Sequence, residues 1–397
     1  MRKIYNNSES KFMKLAFQKA YQHLGSTKEN PSVGCVVVRN GSVISSGTTS
    51  INGRPHAEIN ALKKNKSFIG STMYITLEPC THYGKTSPCV NTILKKGLKR
   101  VCYPIYDPDS RTFNKAKSIL KKRKIKVKTG ILKKEALKFY KSYFLSKDKT
   151  VLPYIDAKIA ISKDYYSVSR KKKWITNNFS RQKGHLIRSK YDCILSSYKS
   201  VNIDNSKLNC RIKGLEHFSP ARVIIDRDLK LKKNLDIYKS TKKIPTYILT
   251  SKRDKIKERF FKSKHIKIIK IKDHKKFLSY KNIFMRLKKI GFSRILCESG
   301  LCTTKALLRE NFVHNLYVFT SGNQIGKKGR NSFKNLLSKL KLKGKKTIVT
   351  GGASGMGKAT SELFASEGAH VAILDINEEE GLKTVNSINK KIDPKGL

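Results

Sequence analysis

MYITLEPCTHYGKTSPCV, residues 73–90, reads as an apolar strand running into Glu78-Pro79-Cys80 and, nine positions after that cysteine, Pro88-Cys89. Upstream, His56-Ala57-Glu58 opens a helical pattern that extends to about Lys64. One histidine and two cysteines make three zinc-type ligands, with Glu58 a carboxylate beside them that does not ligate. A catalytic zinc takes three protein ligands and keeps one position open for water, whose pKa falls to roughly 7. Glu58, two residues past His56, is placed to take that water's proton and pass it to a leaving group. Around this motif a helical pattern at 11–24, strand patterns at 33–39, 43–47 and 73–77, and a helix starting at Cys89 predict a layered α/β domain. Ligands at helix starts gain from the helix dipole, which favours thiolate over thiol.

Eight residues separate the cysteines, where cytidine and tRNA-adenosine deaminases carry a compact Pro-Cys-x-x-Cys. The stretch Cys80-Thr81-His82-Tyr83-Gly84-Lys85-Thr86-Ser87-Pro88-Cys89 instead resembles the bifunctional riboflavin-biosynthesis deaminase/reductases, whose pattern is Glu-Pro-Cys-x-His-x-Gly-Arg-Thr-Pro-Pro-Cys. Lys85 stands where that family has Arg, and Ser87 replaces the first of two prolines. Asn30-Pro31-Ser32-Val33-Gly34, before the apolar run Cys35–Val38, is a further match. The resemblance implies zinc on His56, Cys80 and Cys89, a proton shuttle at Glu58, and substrate positioned by Asn30, His82 and Lys85. Singly each match is weak, since His-Ala-Glu is a common tripeptide and a cysteine is more often a small buried hydrophobe. Their order and context carry the reading.

A helix around 133–145 leads to a second α/β pattern from Val151, which places a boundary near Asp148 and domains at 1–147 and 150–340. The resemblance continues through Ala160-Ile161-Ser162-Lys163-Asp164, Trp174-Ile175-Thr176, Asp192–Leu195, Asp204–Arg211, Arg222–Asp226 and Glu298-Ser299-Gly300. It implies a dihydrofolate-reductase-like α/β domain that binds NADPH and reduces the ribose of the deaminated pyrimidine. Ala160, Trp174, Ser200, Asp204 and Gly300 would lie along the cofactor, Lys172, Leu208, Arg211 and Glu298 would meet substrate, and Asp204 would assist proton delivery. Departures are more frequent here. Lys172 replaces a small polar residue, Asp204-Asn205-Ser206 an Asp-Asn-Pro, and Glu298-Ser299-Gly300 a Gly-Gly or Ala-Gly pair. Trp174 as core and Asp204 as a turn former are the bland alternatives.

After about Leu340 the composition changes. Thr347-Ile348-Val349-Thr350-Gly351-Gly352-Ala353-Ser354-Gly355-Met356-Gly357 is a strand, a glycine-rich turn and a helix start, and His370–Asp375 is a second strand. This resembles the opening of a short-chain dehydrogenase/reductase, a truncated Rossmann-like tail over 344–397 with Asp375 at the place of the ribose-binding acid. That family's Tyr-x-x-x-Lys pair is absent, and two strands cannot close a stable sheet alone, so a truncated fusion without independent NAD binding is expected. The reductase family normally ends on a closing strand, and none is visible after Gly326–Arg330. The strand at Thr347–Thr350 is a possible substitute.

Among 397 residues, 86 Lys and Arg against 28 Asp and Glu give a net charge of +58, which raises nucleic-acid binding. The basic runs are spread along the chain with few interleaved aromatics, so a phosphorylated pyrimidine nucleotide, and no specific nucleic acid, is the expected partner. Eight scattered cysteines and no signal-peptide or membrane-span pattern fit a reducing cytoplasm. Two alternatives remain open: a zinc deaminase of another base or nucleotide with a degenerate reductase domain, and a basic nucleic-acid-binding protein whose zinc is closed by a fourth ligand, Cys102 or His82. A homo-oligomer is expected by analogy with the family.

Overall fold

Cys35-Val36-Val37-Val38 is the continuous apolar run of a strand covered on both faces, and it forms β1 (Gly34–Arg39) within a five-stranded sheet. The computed structural model describes residues 7–63, 67–170, 174–272, 278–337, 346–366 and 368–392. The chain enters through α1 (Asn7–Gln22), and β1 is followed by β2 (Ser42–Thr48), α2 (Ala57–Leu62), β3 (Thr72–Ile75), α3 (Cys89–Lys95), β4 (Arg100–Tyr103), α4 (Ala116–Lys122) and β5 (Lys126–Thr129). The strands lie in the order β2-β1-β3-β4-β5, antiparallel around β1 and parallel from β3 onward.

Successive β1 side chains point to opposite faces. Val36 and Val38 join a core with Met13 and Ala16 of α1, while Cys35 and Val37 join one with Ala57 and Ala61 of α2 and Val90 and Ile93 of α3. The result is three layers, with α2 and α3 on the same face. The helix expected over 133–145 is two helices, α5 (Lys133–Phe139) and α6 (Lys141–Lys147). They meet at Tyr140, whose buried hydroxyl is fixed 2.5 Å from Thr76 Oγ1 and 3.1 Å from Ser32 O.

Gly47 sets the depth of α2. A Cβ there would meet Ala57 O at 2.2 Å and Ala61 N at 2.5 Å, both backbone atoms of α2 that cannot swing aside. Gly47→Ala should therefore push α2 outward, at a cost of about 1–3 kcal/mol. Because His56 caps this helix, its zinc affinity should fall as well, measured by competition with a chromogenic chelator.

The remaining elements are β6 (Tyr154–Ile161), β7 (Tyr166–Ser169), α7 (Asn178–Arg188), β8 (Cys193–Ser197), α8 (Tyr198–Asp204), β9 (Ala221–Ile225), β10 (Thr246–Thr250), α9 (Lys255–Ser263), β11 (Ile266–Lys270), α10 (Tyr280–Lys289), β12 (Arg294–Cys297), α11 (Leu301–Arg309), β13 (Asn315–Thr320), β14 (Gly329–Ser332), α12 (Lys334–Leu337), β15 (Lys346–Thr350), α13 (Gly355–Ser366), β16 (His370–Leu374) and α14 (Glu378–Ile392). Nine of these strands form one sheet, β11-β10-β9-β8-β12-β6-β13-β15-β16, with every pairing parallel. By spatial proximity the chain divides into two units, Met1–Pro153 with Leu287–Ser293 and Tyr154–Arg286 with Arg294–Leu397.

Residues of the glycine-rich tail belong to this second unit. β15 pairs in parallel with β13, Leu316 opposite Thr347 through Phe319 opposite Thr350, and β16 follows as the outer strand. Where no strand pattern was visible after Gly326, β14 forms and pairs antiparallel with β7. Its Gly-Arg-Asn-Ser sequence is mostly exposed, so it carries no apolar alternation to read. No helix among the described residues is long and apolar enough to cross a membrane.

Candidate active site

His56 is the N-cap of α2, in extended conformation, and does not spend its ring on capping. Cys89 is the first residue of α3, and Cys80 lies in the loop that leaves β3. The ligand atoms of all three lie within 4.8 Å of one another. His56 Nδ1 is 3.3 Å from Cys89 Sγ and 3.6 Å from Cys80 Sγ. Tetrahedral zinc, with bonds of roughly 2.3 Å to sulfur and 2.0–2.1 Å to nitrogen, puts these atoms about 3.5 Å apart. Both nitrogen–sulfur distances therefore fit zinc. His56 Nε2 is buried with no hydrogen-bond partner among the described residues.

The two sulfurs compete for one negative charge. The Cys89 thiol and its backbone N–H, 3.2 Å away, both point to Cys80 Sγ and favour Cys80 as thiolate. The same neighbour holds Cys89 protonated. A dication between them removes this conflict, since metal binding deprotonates a coordinating thiol. Glu58, in the first turn of α2, is buried, and burial pushes its carboxyl up to about 7 against the opposing pull of His56. That value suits a group that must accept and return a proton near neutral pH.

Cys102, one suggested fourth ligand, packs with Met13, Ala16, Val36 and Tyr74 on the α1 face of the sheet, opposite α2 and α3. Among the described residues no fourth histidine, cysteine or carboxylate joins the three. His82, the other suggestion, turns its Nδ1 to Thr112 Oγ1 at 3.0 Å. Asn30 donates from Nδ2 to Gly53 O at 3.2 Å, tying its loop to the segment that leads into His56. Lys85 is exposed. Arg54, which sequence reading missed, donates to Thr86 Oγ1 beside it. A cation two residues before His56 was the available signal.

In the second unit, Ala160 on β6, Ser200 after β8 and Gly300 after β12 follow adjacent parallel strands toward their carboxyl ends, where open α/β sheets bind ligands. Gly300 N donates to Ser200 Oγ at 3.1 Å. Glu298 takes both ends of Arg188, at 2.6 and 2.8 Å, and lies 3.2 Å from Lys158. Arg188 also donates to Asn209 O at 3.0 Å, and Arg211 donates to Asn209 Oδ1 at 3.0 Å. Glu298 and Arg211 thus share one cluster, with Arg188 the member that sequence reading missed. Leu208 in the same segment is buried with a positive φ of 45°.

Trp174 is 52 % exposed and stacks on the Arg181 guanidinium, 5.0 Å from its ring centre, rather than in a core. Asp204 is the exposed last residue of α8, and the left-handed turn after it falls to Asn205. Lys172 lies outside the described residues. In the tail, Gly351 N donates to Leu374 O at 2.7 Å, and a Cβ on Gly357 would fall 1.7 Å from Gly351 O. Asp375 accepts from Ala353 N at 2.9 Å and from Asn377 N at 3.1 Å, so its carboxylate braces the glycine loop.

Burial would raise Glu298, but Arg188 and Lys158 outweigh it and hold its carboxyl well below the usual carboxylate range. A depressed folded pKa stabilises above the unfolded value, 4.5, and the contribution is lost as pH falls below it. Glu298→Gln should cost about 3–5 kcal/mol at pH 7 by stranding Arg188. The penalty should shrink progressively below about pH 4.5, where the unfolded chain takes up the proton while the folded parent still holds its ion pair. Urea unfolding read by Trp174, the only tryptophan of the chain, checks both arms.

Residues 6–105 match the cytidine and deoxycytidylate deaminase zinc-binding region, and residues 153–353 the RibD C-terminal domain. Residues 345–395 match short chain dehydrogenase, so both of the latter matches include β15. The riboflavin biosynthesis protein RibD of Aquifex aeolicus is 31 % identical over 323 residues, 80 % of this chain and 88 % of that protein. The Buchnera aphidicola relative of the same name is 32 % identical, covering 79 % and 87 %. The crystal structure of a diaminohydroxyphosphoribosylaminopyrimidine deaminase/5-amino-6-(5-phosphoribosylamino)uracil reductase from Thermotoga maritima aligns with a TM-score of 0.71 at 28 % identity, covering 83 % of this chain and 90 % of that one. A cytidine-deaminase-like unit joined to a reductase unit defines the class, a bifunctional deaminase and reductase. The chain belongs to the RibD family of riboflavin biosynthesis.

Proposed function

We propose that residues 1–147 hydrolytically deaminate 2,5-diamino-6-(5-phosphoribosylamino)pyrimidin-4-one and that residues 150–340 use NADPH to reduce the product's ribosyl group to ribityl. The observation that carries the first half is the open three-ligand set His56, Cys80 and Cys89 beside the buried, non-ligating Glu58. When bound, zinc supplies the Lewis acidity that makes water a nucleophile near neutral pH. Glu58 takes the proton of the attacking water and delivers it to the departing amine, which leaves as ammonia. Asn30, His82 and Lys85 position the pyrimidine nucleotide.

For the second half, the support is the convergence of Ala160, Ser200 and Gly300 toward the carboxyl ends of three adjacent strands, with the Glu298–Arg188–Asn209–Arg211 cluster in the same unit. Ala160, Trp174, Ser200, Asp204 and Gly300 would hold NADPH, and Lys172, Leu208, Arg211 and Glu298 would meet substrate. Bound NADPH would supply the hydride for C1 of the sugar, and Asp204 would provide the proton that opens the ring. A coupled assay on zinc-loaded protein, following ammonia release and NADPH oxidation separately, tests both halves. Two signals are expected. Ammonia alone would overturn the reductase assignment, and neither signal with zinc bound would overturn the substrate.

A further inference from the structure

The loop between β4 and α4 is wrapped around one buried carboxylate. Glu78, two residues before Cys80, accepts backbone N–H groups of Asp107 at 3.1 Å, Asn114 at 3.0 Å and Ala116 at 3.0 Å. Inside the loop, Asp107 accepts from Asp109 N at 2.9 Å and from Tyr143 OH at 3.0 Å. Asp109 holds Arg111 through its backbone N–H and guanidinium, and also meets Lys147. The loop is thereby fixed at both ends and in its middle.

The clamped loop holds the segment just after Cys80. Thr112 is fully buried, and its hydroxyl sits 3.0 Å from His82 Nδ1. Thr81 N–H also reaches the Thr112 hydroxyl at 3.5 Å, and Thr81 Oγ1 donates to Arg111 O at 3.1 Å, two further ties between the same two stretches. An imidazole bonded through one ring nitrogen is fixed in orientation and keeps the other for a ligand. We propose that Thr112 is a positioning residue of the deaminase, fixing the His82 ring for the pyrimidine nucleotide, with Glu78 anchoring the loop that presents it. The inference rests on the reading in which His82 meets the substrate.

Thr112→Val, Thr112→Ser, His82→Ala and the Thr112→Val/His82→Ala double variant should be compared by zinc content and by kcat and KM for ammonia release from the diaminopyrimidine nucleotide. Thr112→Val keeps the side-chain shape and should keep zinc, leave kcat within about threefold and raise KM about tenfold, as loss of one orienting hydrogen bond does. Thr112→Ser should restore the parent KM. The double variant should be no worse than His82→Ala, because one interaction cannot be lost twice. A parent-like Thr112→Val, or a double variant whose losses add in full, overturns the positioning role alone. A parent-like His82→Ala overturns the substrate role of His82 itself, and the inference with it.

Discussion

Replacing Glu58 by Gln is expected to leave zinc content unchanged and to reduce ammonia release by about 10²–10⁴-fold, the usual contribution of a positioned acid and base. Gln keeps the shape of the side chain in a buried site, so α2 and its His56 cap should stay in place. It cannot accept a proton and give it back, which is the step the arrangement isolates. An aspartate should not substitute well either, because its shorter arm withdraws the proton acceptor from the three ligand atoms, which lie within 4.8 Å of one another. NADPH oxidation supplied with the deaminated intermediate should be unchanged. Full ammonia release by Glu58→Gln would remove Glu58 from the proton path.

Ending the chain after Leu337 should abolish NADPH oxidation while sparing ammonia release. β15 covers the edge of β13, where Leu316, Val318 and Phe319 are all buried, and contributes a buried Val349 of its own. Each such side chain is worth about 1.5–3 kcal/mol when fully buried. Partial exposure of the three that remain, together with the loss of Val349, consumes much of the 5–15 kcal/mol that a domain typically has. The uncovered β13 would also present an unpaired apolar edge, a template for association. Light scattering should rise, and Trp174 emission should shift with loss of the second unit's packing. A truncated chain that stays monodisperse and reduces at the parent rate would show that β15 is dispensable.

What the sequence disclosed and what it withheld divide along distance. His56, Glu58, Cys80 and Cys89 sit next to their own strand and helix starts, so local pattern and ligand chemistry sufficed to assemble them. The Arg188–Glu298 pair spans 110 positions, and the Thr112–His82 bond joins two loops of different strands. Neither leaves a periodicity in the residues near it. β14 was invisible because an exposed two-stranded ribbon needs no apolar face. The docking of β15 on β13 was legible only as a possibility, since a parallel partner is chosen by an open edge elsewhere in the fold and not by the strand's own composition.

The strand order of the large sheet also fixes the order in which a growing chain can complete it. β6 is the first strand of that sheet to be synthesised, yet its two neighbours are β12 and β13, which begin at Arg294 and Asn315. At roughly 5–20 residues per second, translation leaves β6 without either neighbour for about 7–27 s. During that time Tyr-Ile-Asp-Ala-Lys-Ile-Ala-Ile has both edges unsatisfied. A strand beside the centre of the finished sheet is thus its most vulnerable segment during biosynthesis, and it is where a holding chaperone would be needed.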